Sequence, residues 1–330
     1  MSLFISRTPF RVSLFGGGTD YPRWFREHGG AVFGAAINKY CYISVRELPP
    51  FFEHRHRIVY SKIETVREIA DIQHPAVRGV LSDMAIEQGL EIHHDADLPA
   101  RSGVGSSSSF TVGLLRALCA FRGESVTPDE LGRRAIHVEQ DVIKEAVGCQ
   151  DQLWAAHGGL NRIDFSRDGT ITVTPIELGG ERREELRQSL MLFFTGFSRF
   201  ATEFAQNQID NIDRRSFELS AMQAMVGQAI DIVRDPRKPL SELGELLDES
   251  WRMKRRLAEG VSNDKIDAIY EAGRAAGAIG GKLLGAGGGG FIVFVVEPGA
   301  RARVRERLSQ FIHVDFDFDR DGSQMVVPSS

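Results

Sequence analysis

PARSGVGSSSS, residues Pro99 to Ser109, stands between two segments of different periodicity. Before it, LEIHHDAD places Leu90, Ile92 and Ala96 at alternating positions, as in a half-buried strand. After it, FTVGLLRALCAF has helical spacing. A strand, a glycine loop and a helix therefore follow one another. Gly103 and Gly105 permit backbone angles and close approaches that a β-carbon forbids, so successive N–H groups can converge on an anion. The helix opening in the serine run adds unpaired N–H groups and the positive end of its dipole. A phosphate suits such a place. The same composition in isolation would read as a flexible connector, but this run is short, lies between patterned elements and begins with a proline that fixes its first dihedral. Two common nucleotide loops do not fit. No Lys follows the second glycine, and Glu124, about twenty residues on where a dinucleotide fold wants an acid, belongs to the turn RGESVTP.

Around this centre lie 330 residues, 42% hydrophobic and 26% charged, with a net charge of −5. The length favours two domains, and the charge lacks the basic excess of a nucleic-acid partner. Apolar runs such as Phe291 to Val296 are too short to cross a bilayer, and MSLFISRTPF has none of the marks of a secretory leader. Cys41, Cys119 and Cys149 are widely spaced and odd in number. They fit a reducing cytoplasm and suggest neither a disulfide framework nor a metal-ligand cluster.

Taken in order, Phe10 to Phe15 reads as a strand running into GGGTDYP, a turn that carries Asp20 and Tyr21 at its rim. Ala31 to Leu48 reads as a buried strand or strand pair, and PPFFEHRHR, Pro49 to Arg57, as a loop or hairpin end. A helix is expected between Pro75 and Gln88. Thr127-Pro128-Asp129-Glu130 has the hydroxyl, proline and carboxylate of a helix start. The helix after it is expected to reach Gly148, with Leu131, Ala135, Val138, Val142 and Ala146 on one face. Glu139 lies one position beyond that stripe; it reads equally as a surface carboxylate or as an acid at the edge of the core. Asp151, in GCQDQLWAA, reads as a helix N-cap or as a partly buried acid. GGERREELRQ, Gly179 to Gln188, is the best linker candidate, which divides the chain into residues 1–180 and 181–330. Helices at 201–233, 240–259 and 264–276 then precede GGKLLGAGGGGFIVFVVE, a glycine-dense turn between apolar strands, with a helix at RARVRERL and the alternating VDFDFD at the end. The second half thus reads as a small α+β layer.

Three motifs in this order, TPFRVSLFGGGTDY (Thr8 to Tyr21), PARSGVGSSSS and KLLGAGGGGF (Lys282 to Phe291), resemble those of the GHMP family of small-molecule kinases, which includes galactokinase, homoserine kinase, mevalonate kinase and phosphomevalonate kinase. The second is similar to the family signature PxxxGLGSSAA, with SSSS in place of SSAA. The resemblance implies an α+β, two-domain GHMP kinase fold. Its N-terminal domain is of a kind also seen in a ribosomal protein, its C-terminal domain is ferredoxin-like, and the active site lies between them. It implies ATP with Mg²⁺ as cofactors. Pro99, Arg101, Ser102, Gly103, Val104, Gly105, Ser106, Ser107, Ser108 and Ser109 would wrap the nucleotide phosphates, with Gly285, Gly287 and Gly288 packed beside them. Ser107 and Glu139 match the metal-holding positions, as a hard cation taking oxygen ligands requires. Asp151 matches the catalytic acid and Arg11 its basic partner, while Gly17, Gly18 and Asp20 match the acceptor segment.

Within the family, GGGTDYP, GSSSSF, GCQDQ, FTGFSR and SNDKID look like the branch whose bacterial members phosphorylate the anomeric oxygen of D-glycero-D-manno-heptose 7-phosphate. Galactokinases carry GEHTD at the first motif instead. A phosphorylated acceptor needs cationic partners. Arg199 in TGFSR is the favoured residue, with Lys254, Arg255 and Lys282 as further candidates, although Lys254 and Arg255 read first as solvated charges. Other readings are a kinase for another sugar such as fucose or galactose, a family decarboxylase, and a non-catalytic ATP-binding sensor. The expected partner is a small-molecule sugar phosphate, with monomer and homodimer both open.

Overall fold

Arg11 and Asp151, 140 residues apart in sequence, meet because the first strand and the helix that begins at Asp151 are held together by one large sheet and the helices on it. The computed structural model describes residues 2–197 and 201–327. Its larger sheet contains β1 (Leu3–Phe15), β2 (Gly30–Glu47), β3 (His56–Val59), β4 (Ile63–Val66), β5 (Leu90–Ala96), β6 (Leu160–Phe165) and β7 (Ile171–Pro175). The smaller sheet contains β8 (Leu190–Phe194), β9 (Ala278–Leu283), β10 (Phe291–Val296) and β11 (Ile312–Val314), and β12 (Gln324–Val327) returns to the larger one. The order of the larger sheet is β12-β1-β2-β5-β3-β4, with β6 and then β7 beside the first half of β2. β2, 18 residues long, is one strand: β1 runs along one side, and β5 and β6 share the other.

Alternation along β1 decides what reaches the cleft. Phe10, Val12 and Leu14 enter the core, so Arg11 and Ser13 face the opposite way. The serine helix, Ser106–Phe121, lies across β1 and β2. Gly113 lets it approach closely: a β-carbon there would sit 2.9 Å from the Thr8 hydroxyl, and Ser6 donates to the Gly113 carbonyl at 2.7 Å.

The smaller sheet has the order β11-β8-β10-β9, all pairs antiparallel. With helices between β8 and β9 and between β10 and β11, this is the ferredoxin-like arrangement. FIVFVV is buried along its whole length, as the central position of β10 between β8 and β9 requires.

Several expectations change. The helix from Pro128 becomes π-helical over Val138–Val142, with Ile143 N–H donating to the Val138 carbonyl at 2.8 Å, and stops there. The wider turn shifts the phase of the face, so Val142 is exposed and Glu139 is buried. GGERREELRQ forms a docked helix, Gly180–Ser189, whose buried Arg182 donates to the carbonyls of Ile232 and Lys238 at 2.7 and 2.9 Å. The helical region after residue 200 is interrupted around Asn211. VDFDFD yields a strand only through Val314; Phe316 and Phe318 are tucked into the main core, and Phe318 bridges Ile37. β12, for which no strand is expected from the sequence, pairs with β1 in the first sheet.

Candidate active site

The loop from Pro99 to Ser109 is fixed from behind. Ser102 Oγ donates to the Pro99 carbonyl at 2.6 Å, and Arg101 N–H donates to Ser106 Oγ at 3.0 Å. Gly103 and Gly105 have φ of +79° and +76°, the left-handed region where a side chain is strained. A β-carbon on Gly103 would lie 2.6 Å from the Leu284 carbonyl oxygen; one on Gly105 would lie 3.2 Å from Arg11 Cγ and 3.4 Å from Asp151 Oδ2. Phe291 N–H donates to the Ser102 carbonyl at 3.1 Å, and Gly285 is packed on Gly103. Gly287 and Gly288 lean on Val261 instead, Gly288 through an N–H···O bond of 3.2 Å. Val104, Ser108 and Ser109 turn inward, whereas Ser106 is half-buried and Ser107 exposed. The first turn of the serine helix thereby keeps Ser106 and Ser107 at the surface, where the unpaired amides of a helix start suit an anion.

Arg11 and Asp151 form a side-on ion pair beside this turn. Nε donates to Oδ1 at 2.8 Å and Nη2 to Oδ2 at 2.6 Å, while Nη1 donates to the Gly103 carbonyl at 2.5 Å. Arg11 is buried and the Asp151 side chain is 23% exposed, so the carboxylate can be reached from solvent. Asp151 opens the helix Asp151–His157 but does not cap it; its oxygens go to Arg11. One guanidinium thus fixes both the acid and the Gly103 carbonyl of the serine loop.

Glu139 lies in the π-helical turn, 1% exposed. Its Oε2 accepts from Ser108 Oγ at 2.9 Å and from Gln152 Nε2 at 2.5 Å, whereas Oε1 is buried without a hydrogen-bond partner. Burial pushes the carboxyl up to about 7 against the pull of Thr111, Gln152 and Ser108. The hydroxyl that meets Glu139 belongs to Ser108, not to Ser107, because the first helical turn directs Ser107 outward. An orphaned, buried carboxylate oxygen on a side chain held by the start of the serine helix fits a hard divalent cation. No group of three or more His, Cys, Asp or Glu among the described residues could hold a metal by itself. Such a cation would therefore share its ligands with phosphate oxygens.

On the other side of Asp151 lies the turn Gly16–Asp20. Asp20 is 2% exposed and accepts from Gly18 N–H at 3.0 Å. Gln150 also hydrogen-bonds its carboxylate and accepts from Ser13 Oγ at 2.7 Å. Burial first, and then Asp151, raise the Asp20 pKa above the usual aspartate value. Gly148 makes room for this carboxylate: its β-carbon would fall 1.8 Å from Asp20 Oδ2. Gly17 lies under Gln150 and Ser13, and Gly18 borders a small recess lined by Tyr21, Leu219 and Leu257.

Of the candidate phosphate-binding cations, Lys254 and Lys282 are buried and Arg255 is bridged to Asp267 at 2.6 Å on the surface. Arg199 lies outside the described residues. Gln152, Gln150 and Gly148 are the participants that the sequence did not single out, and Ser108, expected at the nucleotide phosphates, turns its hydroxyl to Glu139. The only signal for the two glutamines was that they flank Asp151.

Two family models match the chain, the GHMP kinases N terminal domain over residues 66–159 and the GHMP kinases C terminal region over residues 231–313. The D-glycero-alpha-D-manno-heptose 7-phosphate kinase of Campylobacter jejuni is 29% identical, with 98% of each chain covered. Among solved structures, a D-glycero-D-manno-heptose 1-phosphate kinase from Bacteroides thetaiotaomicron superposes with a TM-score of 0.80 at 23% identity, covering 99% of this chain and 100% of that one. Lactococcus lactis galactokinase complexed with galactose superposes at 0.72 and 20% identity, covering 98% and 95%. With a model matched in each half, a relative aligned from end to end, and the serine loop packed on the C-terminal glycine motif, the chain belongs to the GHMP kinase family.

Proposed function

We propose that this chain is an ATP- and Mg²⁺-dependent kinase that phosphorylates the anomeric hydroxyl of D-glycero-D-manno-heptose 7-phosphate. The observation that carries the reading is the Arg11–Asp151 pair at the mouth of the serine loop, a carboxylate held between a phosphate-binding turn and the acceptor turn. The end-to-end likeness to a heptose 7-phosphate kinase supports the substrate.

The chain's part in the reaction is positioning and proton handling. Asp20, steadied by Gly18 and Gln150, would hold acceptor hydroxyls. Asp151 would accept the proton of the reacting hydroxyl as the new bond forms, with Arg11 fixing its orientation. The amides of the serine turn would hold the nucleotide phosphates, and Glu139 Oε1 with the Ser107 hydroxyl would hold the cation. When bound, that cation neutralises charge on the phosphate oxygens.

The test is ADP release with MgATP against heptose 7-phosphate, the unphosphorylated heptose, fucose, galactose and mevalonate, with phosphorus NMR of the product. The highest kcat/KM is expected for heptose 7-phosphate, with a new anomeric phosphate. A higher value for fucose or galactose would replace the acceptor, and MgATP binding without turnover on any of them would remove the enzymatic reading.

A further inference from the structure

Lys254 and Lys282, from the smaller sheet and its helix, both lie close enough to Arg11 and Asp20 to feel their charges. Lys254, on the helix Ser241–Leu257, is 5% exposed; Lys282, on β9, is 2% exposed. Lys254 Nζ donates to the carbonyls of Leu283, at 3.0 Å, and Gly285. Gly285 is the residue packed on Gly103 of the serine loop. Lys282 Nζ donates to the carbonyl of Leu14 at 2.9 Å, two residues before the turn Gly16–Asp20. One ammonium therefore stands on the nucleotide side and the other on the acceptor side, close enough to repel each other and to feel Arg11.

Each ammonium has three N–H donors. Lys254 spends two on carbonyls and Lys282 one. Among the described residues, no carboxylate forms an ion pair with either. Bracing a carbonyl needs only a neutral donor such as an amide. Burying two like charges for that purpose carries a desolvation cost and a mutual repulsion that carbonyl dipoles do not cancel. An arriving dianion removes both and takes up the unspent donors. We propose that Lys254 and Lys282 form a phosphate seat between the nucleotide loop and the acceptor turn, filled either by the acceptor's own phosphate or by the phosphoryl group in transfer. This rests on the kinase reading of the cleft and gives the phosphorylated acceptor a place in it.

The electrostatics agree. Burial and Arg11 hold Lys254 down to about 7, with Asp20 and Asp151 pulling the other way, and burial and Lys254 hold Lys282 well below the usual lysine value. A bound dianion would draw protons onto such groups.

The seat is tested with sulfate, which keeps its two charges across the working pH range, titrated calorimetrically into protein saturated with ADP so that the serine loop is already filled. Wild-type protein is expected to bind sulfate with net proton uptake at pH 8, measured in buffers of different ionisation enthalpy. Lys254→Met and Lys282→Met are each expected to bind it at least about tenfold more weakly, as for lost charged hydrogen bonds, whereas Lys254→Arg keeps the affinity within a few-fold. Kinetics then separate the two sources. A rise in KM confined to phosphorylated sugars identifies the acceptor's phosphate, and a fall in kcat shared by free and phosphorylated sugars identifies the group in transfer. Unchanged sulfate affinity in both methionine variants, or binding without proton uptake in the wild type, overturns the seat; the second reading needs no variant to fold. If heptose 7-phosphate proves not to be a substrate, the proposed acceptor fails, while the sulfate titration still decides the role of the lysines.

Discussion

On the proposed nucleotide side of the cleft the chemistry would be carried by main chain contiguous in sequence, the amides and left-handed glycines between Gly103 and Ser109. On the proposed acceptor side it would be carried by side chains from scattered places: Ser13, Asp20, Gln150, Lys254 and Lys282. A main-chain site tolerates many side chains but no change of backbone angle, and a side-chain site does the reverse. Asp151, with Arg11 tied to Gly103 behind it, joins the two. Asp151→Asn therefore separates them most severely. It is expected to leave ATP affinity within about twofold of wild type while kcat falls by at least about a hundredfold, the scale of a lost general base. Equilibrium binding and steady-state kinetics on the same preparation check this, and loss of ATP binding would mean that the two sides are one.

Gly105→Ala strikes first at the main-chain side, where it meets the Arg11–Asp151 pair. The substitution forces a side chain into φ +76° and puts a β-carbon 3.2 Å from Arg11 Cγ. A left-handed residue costs roughly 1–2 kcal/mol, so ATP affinity should fall by about tenfold or more if that strain is relieved by moving the loop. Calorimetric titration of ATP reads it out. Unaltered affinity would show that the loop amides do not hold the phosphates.

This contrast also explains what the sequence could tell. Glycines at positive φ and a serine run at a helix start announce themselves locally, so the loop, its flanking strand and helix, and the α+β layers were legible. The partner of Glu139 was not. A regular helix from Pro128 would put that carboxylate at the margin, and only the π-helical turn over Val138–Val142 carries it inward to Ser108 and Gln152. Lys254 lies in an amphipathic helix that ends in three basic residues, where spacing does not say which one faces the core. The return of β12 to β1 had no local signal either, because an edge strand of four residues depends on its partner.

Ser108 sharpens the contrast more gently, since it lies in the main-chain motif but acts through its side chain. Where the family signature has alanine, its hydroxyl holds Glu139 Oε2 and leaves Oε1 free to face a cation. Ser108→Ala is expected to raise the Mg²⁺ concentration for half-maximal activity by about tenfold, in the range of lost outer-sphere hydrogen bonds. Nucleotide affinity measured without metal should stay the same. A change in the metal-free affinity instead would make Ser108 part of the phosphate cradle.

The smallest effect lies in the side-chain half and concerns stability. Lys254, facing Arg11, Asp20, Asp151 and Lys282, has a folded pKa of about 7, against about 10.4 for an unfolded lysine. Between those values the unfolded chain holds a proton that the folded chain has lost, so this residue's contribution to stability rises with pH. Below pH 7 the lysine is charged in both states and its burial penalty is felt in full. Wild type should therefore gain on Lys254→Met by the order of 1 kcal/mol or more from pH 7 to 10, measured as urea midpoints at the two pH values. With sulfate and ADP present the lysine keeps its proton when folded, and the gain should shrink. A difference between the two proteins that ignores both pH and sulfate would make Lys254 a neutral brace for the glycine loop, and both halves of the cleft would then be built around the main chain.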